Sequence, residues 1–359
     1  MTDDPRRPAP IPLTVLTGFL GAGKTTLLNR LLRDPDFADT LVIVNEFGEI
    51  GLDHLLIETI DDDMVLLGAG CLCCTVRGDL IAALEDLLRR RDNGRIRAFR
   101  RVVIETTGLA DPGPILHALI YHPYLALRYR LQGVVAVVDA VNGAATLDTH
   151  PEAIRQVAVA DWIILAKSDL DAEGADRLRV RLTALNPVAA IAGPDVPAAD
   201  LLDGPFGVDE RISGLRAWLG EAVPDAYAPR DGDVNRHDAS IRAFSLTSDV
   251  PVSRAALEMF LDLLRSSQGA NLLRLKGLVA LAEDPERPLV LHGVQHVLHA
   301  PVSLASWPDE DRTSRLVLIV RDLEPAFVAK LWDAFLGRPR VDAPDAAALT
   351  ANPLAIPHG

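Results

Sequence analysis

Cysteine and lysine are the scarce residues of this chain. Its 359 residues hold three cysteines, all between positions 71 and 74, and four lysines: Lys24, Lys167, Lys276 and Lys330. Positive charge is also in deficit, with 36 Lys plus Arg against 50 Asp plus Glu, a formal charge of −14. Such a body has no general attraction for phosphate backbones or anionic membranes, which argues against nucleic-acid and membrane partners. No apolar run approaches the ~18–20 residues that span a bilayer. The first ten residues are polar and Arg/Pro-bearing, without the apolar segment of a secretory signal. The expectation is a cytoplasmic protein, where three clustered cysteines are not a disulfide framework.

What is present is regular alternation. Short Val/Ile/Leu runs recur at Leu13–Leu16, Leu41–Val44, Met64–Leu67, Val102–Ile104, Gly133–Val138, Trp162–Leu165 and Val188–Ile191. Between them lie helical patterns at Thr25–Leu32, Leu80–Arg91, Pro114–Ile120, Glu152–Val159 and Ala175–Leu185. Strands apolar on both faces, separated by helices, predict an α/β fold with a doubly wound, mostly parallel sheet. This domain is expected over 11–222. Residues 223–239, with two prolines, Gly232 and several Asp, read as a linker. A smaller α+β domain (β-α-β-β-β-α) is expected over 240–338. Its strands are Ile241–Leu246, Leu272–Leu281, Leu289–Leu298 and Leu316–Val320, and its helices Val252–Ser266 and Pro325–Leu336. A flexible Pro/Ala-rich tail, 339–359, closes the chain.

Gly18-Phe-Leu-Gly-Ala-Gly23-Lys24-Thr25 fits G-x-x-x-x-G-K-[ST] between an apolar strand and an amphipathic helix. This is the P-loop of the NTPases. Its backbone N–H groups and helix N-terminus suit phosphate oxygens. Lys24 then neutralises the β/γ-phosphates and the Thr25 hydroxyl ligates Mg²⁺. Val102-Val103-Ile104-Glu105 is a strand ending in a carboxylate, followed by Thr106-Thr107-Gly108. Glu105 is the candidate Mg²⁺ carboxylate. Gly108 is the candidate N–H donor to the γ-phosphate, which makes its turn a switch. Leu109 stands where some GTPases carry a water-orienting Gln, so slow intrinsic hydrolysis is expected. After the strand ending at Ala166 comes Lys167-Ser168-Asp169, close to the guanine-reading N-K-x-D. A carboxylate at 169 accepts the N1–H and exocyclic amine of guanine, and the Lys167 stem covers the base. Adenine presents an acceptor there instead, so GTP is expected over ATP. Two of the four lysines thus fall in nucleotide motifs.

Gly70-Cys71-Leu72-Cys73-Cys74 is C-x-C-C. Three thiols in four residues suit a soft ion, Zn²⁺ or Cu(I), better than Mg²⁺. A closed zinc site takes four ligands, so this one is expected to be open, a geometry fit for transfer rather than storage. Glu46 and Glu49, in the loop after the second strand, are both candidate carboxylate ligands. The cysteines lie in sequence between that loop and the Glu105 turn, which suggests that nucleotide state and metal binding are coupled. His292, His296 and His299 are read instead as strand-surface residues, with 292 and 296 on one face and 299 on the other. Arg89–Arg101 reads as a helix end and solvated loop.

Taken together these blocks resemble the CobW family of P-loop GTPases. The matching segments are TGFLGAGKTTLLNRLL (17–32), VNEFGEIGLD (44–53), GCLCCTVRGDL (70–80), VIETTGLADPGPI (103–115), VVDAVN (137–142) and AKSDL (166–170). LLRLKGL (272–278) and LHGVQHVLHA (291–300) resemble the family's C-terminal domain. The resemblance implies that Gly18, Gly21, Ala22, Gly23, Lys24, Thr25 and Thr26 hold GTP or GDP phosphates. It implies that Glu105 serves Mg²⁺ and that Lys167 and Asp169 read guanine. Cys71, Cys73 and Cys74 would bind Zn²⁺, with Co²⁺ or Fe²⁺ as alternatives, and Glu49 or Glu46 nearby. A metallochaperone that delivers its ion to a client metalloprotein is implied, with a nucleotide- or metal-dependent homodimer as one assembly. Two departures stand out: Ala166 replaces the guanine-motif Asn, and the linker carries one histidine, His237, in place of a His run. The rivals are a nucleotide-gated zinc buffer and a P-loop small-molecule kinase.

Overall fold

The computed structural model describes residues 8–45, 64–67, 75–203, 241–295, 297–299, 301–308 and 310–338. Glu46, Glu49, Cys71, Cys73 and Cys74, the expected linker and the expected tail lie outside the described residues.

Seven parallel strands form the first sheet, in the order β3-β2-β4-β1-β5-β6-β7. They are β1 (Ile11–Gly18), β2 (Thr40–Asn45), β3 (Met64–Leu67), β4 (Arg101–Glu105), β5 (Tyr129–Asp139), β6 (Trp162–Ala166) and β7 (Ala190–Ala192). The strands read as unbroken apolar runs because both faces are covered. Leu27, Leu28 and Leu31 of α1 (Lys24–Leu32) and Leu201 of α8 (Ala198–Asp203) pack on Leu16, Val42, Val103 and Val137. On the other face, α2 (Thr75–Asp92) and α3 (Gly113–Tyr121) press Leu84, Leu88 and Leu116 onto Leu13, Val15 and Ile104. There too, α6 (Pro151–Val159) and α7 (Ala172–Leu185) bring Val157, Leu178 and Leu182 to β5 and β6. Each such buried Leu stabilises by about 1.5–3 kcal/mol. Two short helices, α4 (Leu125–Arg128) and α5 (Gly143–Thr149), flank β5.

The second sheet is antiparallel, in the order β11-β10-β9-β13-β8, with β12 also paired to β10. Its strands are β8 (Ile241–Ser248), β9 (Leu272–Leu281), β10 (Asp284–Val294), β11 (Val297–Leu298), β12 (Val302–Ser303) and β13 (Ser314–Arg321). The helices α9 (Arg254–Gln268) and α10 (Pro325–Phe335) cover one face through Leu257, Phe260, Val328 and Trp332. The other face lies against the first domain. Leu273, Val317 and Ile319 join the cluster of Val157, Leu178 and Leu182. The expected fold class is therefore observed, with two further short strands in the second domain.

Four sequence expectations need correction. The strand expected at Val188–Ile191 begins at Ala190, because the Val188 N–H bonds the side chain of Asn186 instead of a neighbouring strand. The helix expected from Val252 begins at Arg254, because the Ser253 hydroxyl caps it by accepting from the Ala256 N–H. The single strand expected at Leu289–Leu298 is a hairpin that turns after Val294. That turn also overturns the reading of His292 and His299 as surface residues, while His296 lies outside the described residues. His292 is buried, and His299 folds back onto it with ring centroids 4.3 Å apart.

Charge is buried where the domains meet. Asp161, which precedes β6, is 1% exposed, and Arg274 and Lys276 of β9 are 0% exposed, so the three are fully desolvated together. Asp161 pairs with the Arg274 guanidinium and lies 3.7 Å from the Lys276 amine. Its second oxygen accepts the Val134 N–H at 3.0 Å. Arg274 also donates to the Val159 carbonyl at 2.9 Å, and Lys276 to the Val188 carbonyl at 2.8 Å. Burial pushes Lys276 down to about 7, against the opposing pull of Asp161.

The histidine pair beside this cluster predicts a pH dependence. Burial, then the charge of Arg274, pushes His299 down to about 4, and His292 well below its usual 6.5. A base with a depressed folded pKa is neutral in the fold while the unfolded chain takes up protons. The stability that the two imidazoles contribute is then complete above pH 6.5 and declines as pH falls toward 4. His299 alone should make the chain roughly 2 kcal/mol less stable at pH 5 than at pH 7.5. Urea unfolding at the two pH values measures this, and equal midpoints would contradict it.

Candidate functional site

The P-loop follows β1 and turns through Gly18, Gly21 and Gly23, at φ of 141°, 71° and 102°. At Gly18 a side chain is excluded twice. The dihedral disfavours one, and a Cβ would lie 2.4 Å from the Val137 carbonyl oxygen of β5. Ala22 closes the turn by donating its N–H to the Phe19 carbonyl, and Thr26 lies in the first turn of α1. The amine of Lys24 reaches back to the carbonyls of Gly18 at 2.9 Å and Phe19 at 3.2 Å. It thus bridges the loop from inside, where phosphate oxygens would attract it.

The Thr25 hydroxyl donates to Glu105 Oε1 at 3.4 Å, across 80 residues of sequence. A hydroxyl and a carboxylate so placed are hard oxygen donors, the set that Mg²⁺ prefers. The strand carrying Glu105 is tied to β1 twice. The Thr106 N–H bonds the Leu16 carbonyl at 2.9 Å, and the Thr106 and Thr17 hydroxyls are 2.9 Å apart. Gly108 then approaches the P-loop so closely that a Cβ would lie 2.5 Å from the Leu20 backbone nitrogen. The turn expected to sense the γ-phosphate therefore touches the loop expected to hold it.

Lys167 sits at φ 59°. Its amine donates to the Gly21 carbonyl at 3.0 Å and pairs with Asp139 at 2.8 Å. Asp139 also accepts the Val141 N–H at 2.8 Å and the Asn142 side chain at 3.0 Å, so it anchors the loop after β5. Despite burial, which opposes it, the Lys167 and Asn142 bonds hold the Asp139 carboxyl below its ordinary value. Lys167 and Asp139 thereby brace the loop expected to read the base against the P-loop, in the absence of an Asn at 166. Ala166 itself is buried beneath Gly23. Asp169 is exposed.

A cavity of about 270 Å³ opens behind the P-loop, between β5, α5 and α6, lined in part by Phe19, Val138, Asn142, Gln156 and Lys167. Phe19 stacks on His150 at its side, with centroids 4.3 Å apart.

All nucleotide residues expected from the sequence thus converge at the C-terminal ends of β1, β4 and β6. The metal ligands expected from it cannot be placed, since Glu46, Glu49 and the cysteines are outside the described residues. Among the described residues no group of three or more His, Cys, Asp or Glu side chains is poised for a metal. Sequence reasoning missed Asp139 and Gln156. Asp139 was visible only as part of VVDAVN, and its role needs Lys167 brought from 28 residues away.

The geometry agrees with comparison to known proteins. Residues 12–192 match the family model for the CobW/HypB/UreG nucleotide-binding domain. The chain belongs to the CobW/HypB/UreG family. Residues 241–336 match the cobalamin synthesis protein cobW C-terminal domain, so both halves of this CobW-type chain are accounted for. The zinc chaperone YjiA of Escherichia coli is 36% identical over 86% of this chain and 94% of its own length. The zinc chaperone CobW of Pseudomonas aeruginosa is 31% identical over 89% and 90%. A crystal structure of the Zn(II)-bound YjiA GTPase from E. coli superimposes with TM-score 0.69 and 30% identity, covering 91% of this chain and 99% of that one. Among the described residues, no helix is long and apolar enough to cross a membrane.

Proposed function

We propose that this CobW-family chain is a GTP-hydrolysing metallochaperone that carries Zn²⁺, or a related transition metal, to a client metalloprotein. The observation that carries the reading is the meeting of three motifs at one sheet edge. Lys24 and Thr25 lie on the P-loop, Glu105 and Gly108 on the neighbouring strand and turn, and Lys167 and Asp169 on the base-reading loop. The names of the relatives, zinc chaperones and a Zn(II)-bound GTPase, support the cargo.

In this reading GTP phosphates displace the Lys24 amine from its own loop carbonyls, and the amine then neutralises the β/γ oxygens. Thr25 and Glu105 would hold Mg²⁺, which when bound offsets the triphosphate charge. Gly108 offers its N–H to the γ-phosphate, and Asp169 takes the guanine edge. Cys71, Cys73 and Cys74 bind the cargo, with Glu46 or Glu49 as a further ligand. The division into 11–222, a linker at 223–239 and 240–338 belongs to this proposal, as does residence in the cytoplasm.

The test is a titration. Zn²⁺ affinity and GTP turnover are measured for the intact chain and for Cys71→Ser/Cys73→Ser/Cys74→Ser. The triple variant should lose at least a hundredfold in Zn²⁺ affinity, beyond the 10-fold to 100-fold that loss of supporting groups costs. Its metal-free turnover should stay within about twofold. Equal Zn²⁺ affinity would remove the cysteines from the site.

A further inference from the structure

The turn that carries Gly108 is gripped from two sides, one of them in the C-terminal domain. On the near side, buried Gln156 of α6 donates its amide to the carbonyls of Gly108 at 3.1 Å and Ala110 at 3.0 Å. On the far side, the amide of Gln295, in the turn between β10 and β11, donates to Asp111 Oδ1 at 3.2 Å. The same carboxylate oxygen accepts the Gly113 N–H at 2.9 Å and so shapes the entry into α3. The other oxygen lies 3.4 Å from Arg155, the neighbour of Gln156. The packing leaves no slack, because a Cβ on Gly113 would lie 2.1 Å from Gln295 Oε1.

The hairpin tip is seated for this contact. Gln295 holds φ 54°, a conformation that side-chain-bearing residues rarely adopt and that a tight hairpin turn gives to Asn or Gly. Its N–H bonds the Leu273 carbonyl at 2.9 Å. Val294, just before it, is fully buried in the first domain's core with Ile115, Leu116 and Leu119. Held this firmly, a Gln in a glycine's conformation points to a task for its side chain. A continuous chain of contacts runs from the hairpin through Asp111 and Gly108 to Leu20 of the P-loop.

We infer that Gln295 is a positioning residue for GTP hydrolysis, acting from the C-terminal domain through Asp111 on the Gly108 turn. The inference rests on the reading of Gly108 as the γ-phosphate contact. By reciprocity, a nucleotide that moves the turn also changes how the hairpin is seated. The C-terminal domain thereby receives the nucleotide state through this hairpin, and anything that docks on it has a route back to turnover.

Gln295→Gly in the full chain tests this. It deletes the amide while suiting the positive φ, so the hairpin remains. The expected result is a kcat lower by about tenfold, inside the up to ~100-fold that misplacing a group from a distance can cost, with KM within about twofold and the melting temperature not lowered. An unchanged kcat, or a loss confined to KM, overturns the inference. Hydrogen exchange of the hairpin residues 289–298 in the unaltered chain gives a second reading that needs no variant. Protection should differ between GDP and a non-hydrolysable GTP analogue, and equal protection overturns the coupling. Gly108→Ala separates the two layers. If it leaves kcat unchanged, the γ-phosphate reading itself fails. If it abolishes turnover while Gln295→Gly does nothing, only the role of Gln295 fails.

Discussion

Lys24→Ala should lower GTP turnover by about a hundredfold to a thousandfold, the range for removing one preorganised positive donor from a transition state. The Lys24 side chain is already buried and aimed into the loop, with its amine 2.9 Å and 3.2 Å from the Gly18 and Phe19 carbonyls. No reorganisation is needed beyond exchanging those carbonyls for phosphate oxygens. The loss should fall mainly on kcat, because charge on the bridging and leaving oxygens grows as the γ-phosphoryl departs. Lys24→Arg should not restore it, since a planar guanidinium does not fit the space of a compact ammonium whose three donors converge inside a closed turn. Steady-state phosphate release is the measurement. A variant that retains more than a tenth of the parent kcat would place the phosphates elsewhere.

Asp161→Ala should cost about 3–5 kcal/mol of stability, the range for stripping one partner from a buried ion cluster. Arg274 and Lys276 would then share a dry interface without the Asp161 carboxylate, and the Val134 N–H would lose its acceptor. For a chain of this size the melting temperature should fall by roughly 4–7 °C. Asp161→Asn separates the two causes, because it keeps an acceptor for Val134 and removes only the charge. A fall of less than about 2 °C for the alanine variant would mean that the cluster is not the electrostatic joint between the domains.

The parts legible in the sequence are those made by neighbours. A P-loop declares itself because its glycines, Lys24 and Thr25 act within eight consecutive positions and need only a strand before and a helix after. The strands were legible because a sheet covered on both faces demands unbroken apolar runs. What stayed hidden is what joins distant segments. Gln295 lies 184 residues from the aspartate it bonds, and Arg274 lies 113 residues from Asp161. The hairpin at Gln295 was read as continuous strand because neither Gln295 nor His296 is a turn-forming residue. The misplacement of His299 followed directly from that. Arg274 and Lys276 did carry a signal, since two cations two residues apart in an otherwise apolar strand must find a buried partner. The sequence could not name Asp161 as that partner.

A GTP-driven delivery cycle requires that nucleotide state set metal affinity. The most direct measurement is Zn²⁺ affinity of the full chain, by competition with a chelating dye, once with GDP and once with a non-hydrolysable GTP analogue. The two dissociation constants should differ by at least about fivefold, the lower end of a functional coupling. Equal affinities in the two states would contradict a GTP-driven delivery cycle and leave a passive zinc-binding protein.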